Sequence, residues 1–96
     1  MNQIFDPLAA KEYQEAIDYY EDRTPGLGEK FRGEIEAALS ILSKYPNLGM
    51  EERPSIRRFA IKGFPYKLIY AVVGDVLFII AVAHGHREPN YWIDRV

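Results

Sequence analysis

Two apolar runs in the second half of the chain, Tyr66 to Val73 and Val76 to His84, flank Gly74-Asp75. In the first run Tyr66, Leu68, Tyr70 and Val72 alternate with Lys67, Ile69, Ala71 and Val73. A period of two places each set on its own face of a strand. In the second run Val76, Phe78, Ile80, Val82 and His84 alternate with Leu77, Ile79, Ala81 and Ala83, and both sets are apolar. That strand is expected to be central and covered on both sides, or to meet a partner on the face away from the helices. The Gly-Asp pair between the runs predicts a tight hairpin. A polar and aromatic tail, from His84 to Trp92, leaves its far end.

Upstream the period changes to that of a helix. Asp6-Pro7 reads as a helix start, because Asp caps free N–H groups and Pro costs nothing in the first turn. Ala9, Tyr13, Ala16, Ile17 and Tyr20 then recur every three or four residues, with Lys11, Glu12, Glu15 and Asp18 on the other faces. Pro25-Gly26 ends this pattern. A second helix is predicted from about Leu27 to Tyr45, with the stripe Leu27, Phe31, Ile35, Ala38, Leu39, Leu42 and Tyr45. Gly33 lies within it and is expected to mark a close crossing of the two helices. The short turn predicts an antiparallel helix hairpin that must bury its stripes on the sheet.

Ile4-Phe5 is a short apolar start and reads as a brief strand. Met50 to Pro54 reads as a charged, exposed linker. Ile56, Phe59 and Ile61 form a third apolar run with imperfect alternation, which a bulge near Arg57-Arg58 or a late strand start would repair. The expected fold class is α+β: a short N-terminal strand and an antiparallel helix hairpin packed on a small, mostly antiparallel β-sheet, within one domain spanning 1–96.

The chain has 96 residues and no cysteine. A chain of this size buries roughly 60–65 % of its unfolded surface, and the lack of cysteine excludes disulfides and thiolate metal sites. No apolar run approaches the roughly 20 residues that span a bilayer, and residues 1 to 20 lack the pattern of a secretion signal. A soluble, cytoplasmic protein is expected. The net charge of −2 is uneven. Residues 1 to 48 carry nine acidic and five basic side chains, and residues 49 to 96 carry five and seven. Arg53, Arg57, Arg58, Lys62 and Lys67 lie in a stretch with no acidic residue. It reads either as a solvated sheet face or as a surface for an acidic partner. The weak overall charge argues against nonspecific nucleic-acid binding.

His84, His86 and Arg87 are the residues best suited to chemistry. Histidine exchanges protons near neutral pH, and the arginine fork suits phosphate or carboxylate. The alternatives are a hydrogen-bonded structural His84, a solvated His86, and an Arg87 paired with Glu88 or Glu52. Two histidines without thiols do not make a zinc shell, so neither metal nor cofactor is expected. Ser40, Ser43 and Ser55 stand in no nucleophile motif, and no phosphate loop is present. Tyr91 and Trp92 suit base stacking or an interface anchor, or they fold back and close the core.

Phe64-Pro65-Tyr66, His84, Arg87, Pro89 and Trp92, together with Pro46-Asn47-Leu48-Gly49, resemble the ParE branch of the RelE/ParE toxins of type II toxin–antitoxin systems, also called plasmid stabilisation proteins. The likeness runs over nearly the whole chain. It implies a toxin neutralised by a cognate ParD-like antitoxin, whose DNA-binding part gives the complex indirect contact with its operator. The helix hairpin and the basic stretch would then meet the antitoxin's mostly acidic tail, with Arg53, Arg57, Arg58, Lys62, Lys67, His86, Arg87 and Tyr91 as partner-binding residues. ParE-like members act on DNA gyrase by binding and imply no catalytic residue. RelE-like members cut messenger RNA on the ribosome. On that alternative Arg58, Lys62 and Arg87 clamp a phosphate while His84 or Tyr91 exchanges a proton. The acidic overall balance, Trp92 close after the usual place of a functional tyrosine, and the missing basic C-terminal helix favour the ParE branch. A third possibility is a non-toxic member that serves only as an antitoxin partner.

Overall fold

The computed structural model describes residues 1–96. The chain starts with β1 (Asn2–Phe5) and turns at once into α1 (Pro7–Arg23). Asp6 caps that helix, its side chain accepting from the Leu8 N–H at 2.9 Å, with Pro7 in the first turn. After a three-residue turn comes α2 (Leu27–Lys44), which has no side-chain cap of its own. Glu21 near the end of α1 does that work, accepting from the N–H groups of Gly26 at 2.9 Å and Gly28 at 3.0 Å. One carboxylate thus satisfies two free donors of the next helix.

The helices do cross closely, but at Gly28 rather than Gly33. A Cβ on Gly28 would meet the Ile17 carbonyl oxygen at 2.6 Å, whereas Gly33 is exposed with nothing within 4 Å. The propensity argument that singled out Gly33 sees only helix interiors. Gly28 lies in the first turn, where a glycine draws no notice.

The sheet has the order β1-β5-β4-β3-β2, with β2 (Met50–Arg53), β3 (Ile56–Ala60), β4 (Tyr66–Val73) and β5 (Val76–His84). β1 is parallel to β5 and the remaining pairs are antiparallel. Three expectations are corrected. Met50 to Arg53 is an edge strand, not a linker. No bulge interrupts β3 against β4 at Arg57-Arg58; Ile56 breaks step with Phe59 and Ile61 because it serves the opposite face. The register shifts elsewhere: in β2, where Glu51 pairs with Arg57 and Arg53 with Ile56 and Glu52 is passed over, and in β5, where Ile69 pairs with Ala81 and Tyr70 with Ile79, leaving Ile80 unpaired. Strict alternation therefore fails there: Leu77, Ile79 and Val82 face the helices, while Ile80, Ala81 and Ala83 face away.

Both faces of β5 are covered. The helices close one with Phe31, Ile35, Leu39 and Leu42 over Leu68, Tyr70 and Ile79. The tail closes the other, with Trp92 buried on Ile69, Ile80 and Ala81. Of the alternatives for Trp92, the structure takes the core. Tyr45 leaves the α2 stripe and is exposed. The connection from α2 to β2 is fastened from below: the Tyr70 hydroxyl donates to the Pro46 carbonyl at 2.7 Å and accepts from the Gly49 N–H at 3.0 Å. Gly49 must lack a side chain, since a Cβ would lie 2.6 Å from that hydroxyl. No helix is long and apolar enough to cross a membrane.

Candidate functional site

β1 pairs with β5 only along Val76 to Ile79. The last bond of that edge runs from the Asp6 N–H to the Ile79 carbonyl at 2.8 Å. Further along β5, side chains replace the missing strand. Glu12, from α1, accepts from the Val82 N–H at 3.1 Å, and Arg95 donates to the Ile80 carbonyl at 3.1 Å. The same two side chains form a bidentate ion pair, with both contacts at 2.9 Å. The Tyr91 hydroxyl donates to the second Glu12 oxygen at 2.8 Å. Glu12 and Arg95 are 14 % and 11 % exposed, so this is a nearly dry clasp between α1, the sheet edge and the tail. Such pairs hold only when their remaining donors and acceptors are also satisfied, as they are here by backbone.

The electrostatics follow from that geometry. The hydrogen bonds it donates to Glu12 hold the Arg95 guanidinium above its ordinary pKa, outweighing its burial. Burial raises the Tyr91 phenol, and its bond to the Glu12 carboxylate raises it further. Tyr91 is therefore a fixed donor, unable to act as a base near neutrality. The Arg87 guanidinium lies 3.9 Å from the centre of its ring. The alternative of an Arg87 ion pair with Glu88 or Glu52 is not realised: Arg87 enters none of the ion pairs, and Glu52 is taken by Arg58, at 2.8 Å.

Beside the clasp lies a groove of about 200 Å³, bordered by Glu15 and Tyr19 of α1, Tyr66 of β4, His84, and Arg87 and Tyr91 of the tail. The His84 Nδ1 accepts from the His86 N–H at 3.0 Å, so the neutral ring carries its proton on Nε2. Its ring stands perpendicular to that of Tyr66, with the ring centres 5.0 Å apart. His86 is exposed in the turn.

The basic stretch divides between several tasks. Arg57 donates to the carbonyls of Gly49 at 2.7 Å and Asn47 at 3.3 Å. Arg58 holds Glu52, and Arg53 reaches Asn90 at 3.4 Å. Lys62 and Lys67 enter none of the ion pairs. His84, Arg87 and Tyr91 share a groove, but Arg58 borders a different one with Lys67, and Lys62 lies exposed in the turn after β3. The five residues of the ribonuclease alternative are thus not gathered around one cavity. No group of three or more histidine, cysteine or acidic side chains is placed to hold a metal.

The sequence pattern described as the ParE toxin of the type II toxin–antitoxin system parDE matches residues 4–89. The chain belongs to the ParE toxin family. It is the toxin component of a type II toxin–antitoxin system, and its partner is an antitoxin. No curated protein matches the chain in sequence. Among solved structures, a chain of the chromosomal ParDE system from P. aeruginosa superposes with a TM-score of 0.74 at 20 % identity, covering 88 % of this chain and 95 % of that one. A chain of the intact E. coli RelBE toxin–antitoxin complex gives 0.68 at 22 % identity, with 90 % and 98 % covered. The isolated E. coli RelE toxin gives 0.67 at 21 %, with 97 % and 93 % covered. These likenesses establish the RelE/ParE-like fold. Membership of the ParE branch points to a toxin that works by binding protein rather than by cutting RNA.

Sequence reasoning missed Glu12, Arg95 and Glu21. Glu12 reads as one more polar residue on an exposed helix face. The one available signal was Arg95 itself, a cation two positions after the apolar and aromatic segment Tyr91-Trp92-Ile93, which needs a carboxylate if the tail is to pack.

Proposed function

We propose that this toxin acts on DNA gyrase, and that residues 1–96 work as one toxin domain in the cytoplasm. The match to the ParE family over residues 4–89 carries the proposal. The site supports it, because Tyr91 is locked as a donor to Glu12 and the ribonuclease candidates are scattered. A gyrase poison needs a surface rather than an active site. The exposed rim of His86 and Arg87, backed by Tyr91, suits that role; Arg53, which reaches Asn90 of the tail, extends it, and Lys62 adds an exposed cation in the turn after β3. Arg57 and Arg58, held by backbone carbonyls and by Glu52, contribute less to partner binding than the sequence suggested. The antitoxin neutralises the toxin and brings it to operator DNA indirectly.

The test is a supercoiling assay with purified toxin and gyrase, together with induction of the gene alone and with its neighbouring antitoxin gene. Loss of supercoiling, and growth arrest rescued by the antitoxin, are expected. Unchanged supercoiling with cleavage of translating messages would establish the ribonuclease alternative. Normal growth on induction alone would establish a non-toxic partner.

A further inference from the structure

The sheet has two outer edges, and they are guarded differently. β2 carries Glu51, Glu52 and Arg53, and its register slips at Glu52. Charge and irregular register both keep a free edge from recruiting another strand. β1 has neither: Asn2, Gln3, Ile4 and Phe5 are uncharged and follow β5 without a break. The Asn2 N–H donates to the Asp75 carbonyl at 3.1 Å, and the Asp6 N–H to the Ile79 carbonyl at 2.8 Å. Even positions therefore turn their backbone groups toward β5, and Gln3 and Phe5 turn theirs outward. Ile4 pairs with Phe78 on the face away from the helices and is 49 % exposed.

We propose that β1 pairs antiparallel with β1 of a second copy of this chain, with Ile4 on the two-fold axis. In that register Gln3 stands opposite Phe5 of the copy on each side of the axis. These are the residues with outward backbone groups, and each such pair exchanges both of its hydrogen bonds. Ile4 meets its own copy at the close, non-hydrogen-bonded position, where an apolar pair is stabilising. Centring on Gln3 instead would set Ile4 against Asn2 and leave Phe5 beyond the copy's strand. Charge selects the occupant. No residue of β1 meets a like charge in its copy, whereas β2 paired with itself would bring acidic side chains together. A charged segment of another protein finds no counter-ion on β1 and meets Asp6 at its end. The axis stands perpendicular to the sheet, so the helices of both copies lie on one side and both tails on the other. One dimer thus carries two His86–Arg87 rims on the same side, and a partner with two matching surfaces is held by both.

Sedimentation of the full-length toxin over a concentration series tests this, with a rise from the single-chain mass to twice that mass expected. Ile4→Lys sets like charges on the axis and should weaken the dimer about tenfold or more. Gln3→Pro removes an outward N–H that is idle in the single chain and used in the pair, and should weaken it to about the same extent. Met50→Lys, at an exposed apolar position on the opposite edge, should stay within about twofold. Melts of the dilute variants matching the parent exclude misfolding. Exchange at the Gln3 and Phe5 amides should slow as toxin concentration rises. A single chain at every concentration up to the solubility limit overturns the proposal. So does a dimer that survives both Ile4→Lys and Gln3→Pro, or one that Met50→Lys dissociates. Protection of Gln3 and Phe5 by added antitoxin, without any by added toxin, gives the edge to a foreign strand and overturns it as well.

Discussion

The two faces of the sheet are closed by different physics. On the helix face, apolar side chains do nearly everything: Phe31 sits among Tyr13, Tyr20, Phe64 and Tyr66, with ring centres 5.0 to 6.3 Å apart. Offset and edge-on rings at such spacings add to the area they bury. On the tail face the buried cluster is small, with Trp92 its one large contribution from the tail. The tail would be a weak lid if burial were all that held it. A polar clasp of Glu12, Arg95 and Tyr91 holds it as well, reaching around the edge of β5 to the helix layer. One face tolerates imprecision because area is forgiving. The other depends on a few atoms at hydrogen-bond distance.

The sharpest way to break this contrast is to remove one large buried ring from each face. Phe31→Ala should cost about 4 kcal/mol and lower the urea midpoint of the whole molecule, as large-to-small changes in dense cores do. Trp92→Ala should cost about 3 kcal/mol, with hydrogen exchange rising first in Ile80 to Ala83 while α2 stays protected. Uniform loss of protection in Trp92→Ala would show that the two faces are one cooperative unit.

Breaking the clasp is the next largest effect. Glu12→Gln leaves Arg95 buried without its charge partner and should cost about 3 kcal/mol by chemical denaturation. A loss below about 1 kcal/mol would place the clasp among surface ion pairs and remove the contrast.

The helix crossing distinguishes two glycines. Gly28→Ala should cost about 2 kcal/mol, because its Cβ would strike the Ile17 carbonyl. Gly33→Ala should stabilise the protein by about 0.5–1 kcal/mol, having space and a better helix former. Thermal melts of the pair check both signs.

The smallest expected effect is in alkali. The folded pKa of Tyr91 lies above the ordinary 10.0, owing to burial and then to the Glu12 bond. Below that value both folded and unfolded chains keep the proton, and the stabilisation is complete. Above it the unfolded chain releases its proton first, so stability falls as pH rises. Tyr13, Tyr20, Tyr66 and Tyr70 are raised in the same direction by burial on the helix face. Tyr91→Phe should therefore flatten, without abolishing, the fall of the urea midpoint between pH 9 and pH 11.

Much of the helix face was legible in the sequence because its signals are periodic. The stripe from Phe31 to Leu42, the cap at Asp6 and the hairpin at Gly74-Asp75 each repeat a local rule. The tail face was half legible. Two-sided apolar character in β5 required a cover, but a cover made from the chain's own last residues leaves no periodic trace. Glu12 and Arg95 are 83 positions apart, and nothing local ties them. The candidate site followed the same division. His84, Arg87 and Tyr91 do share a groove, as their closeness in the chain implied. The cations from Arg53 to Lys67 scatter because they are spread over β2, β3, the turn after β3 and β4, and the adjacent Arg57 and Arg58 of β3 turn to opposite faces.

The unpaired Ile80 has a consequence beyond local geometry. One surplus residue reverses the sidedness of everything after it. Val82 and His84 come to lie under α1 instead of under the tail, and the Ile80 carbonyl swings to where a guanidinium can take it. Deleting that single residue would hand His84 to the opposite side of the sheet and leave the tail's anchor without its mooring, although no residue of the rim itself had been altered.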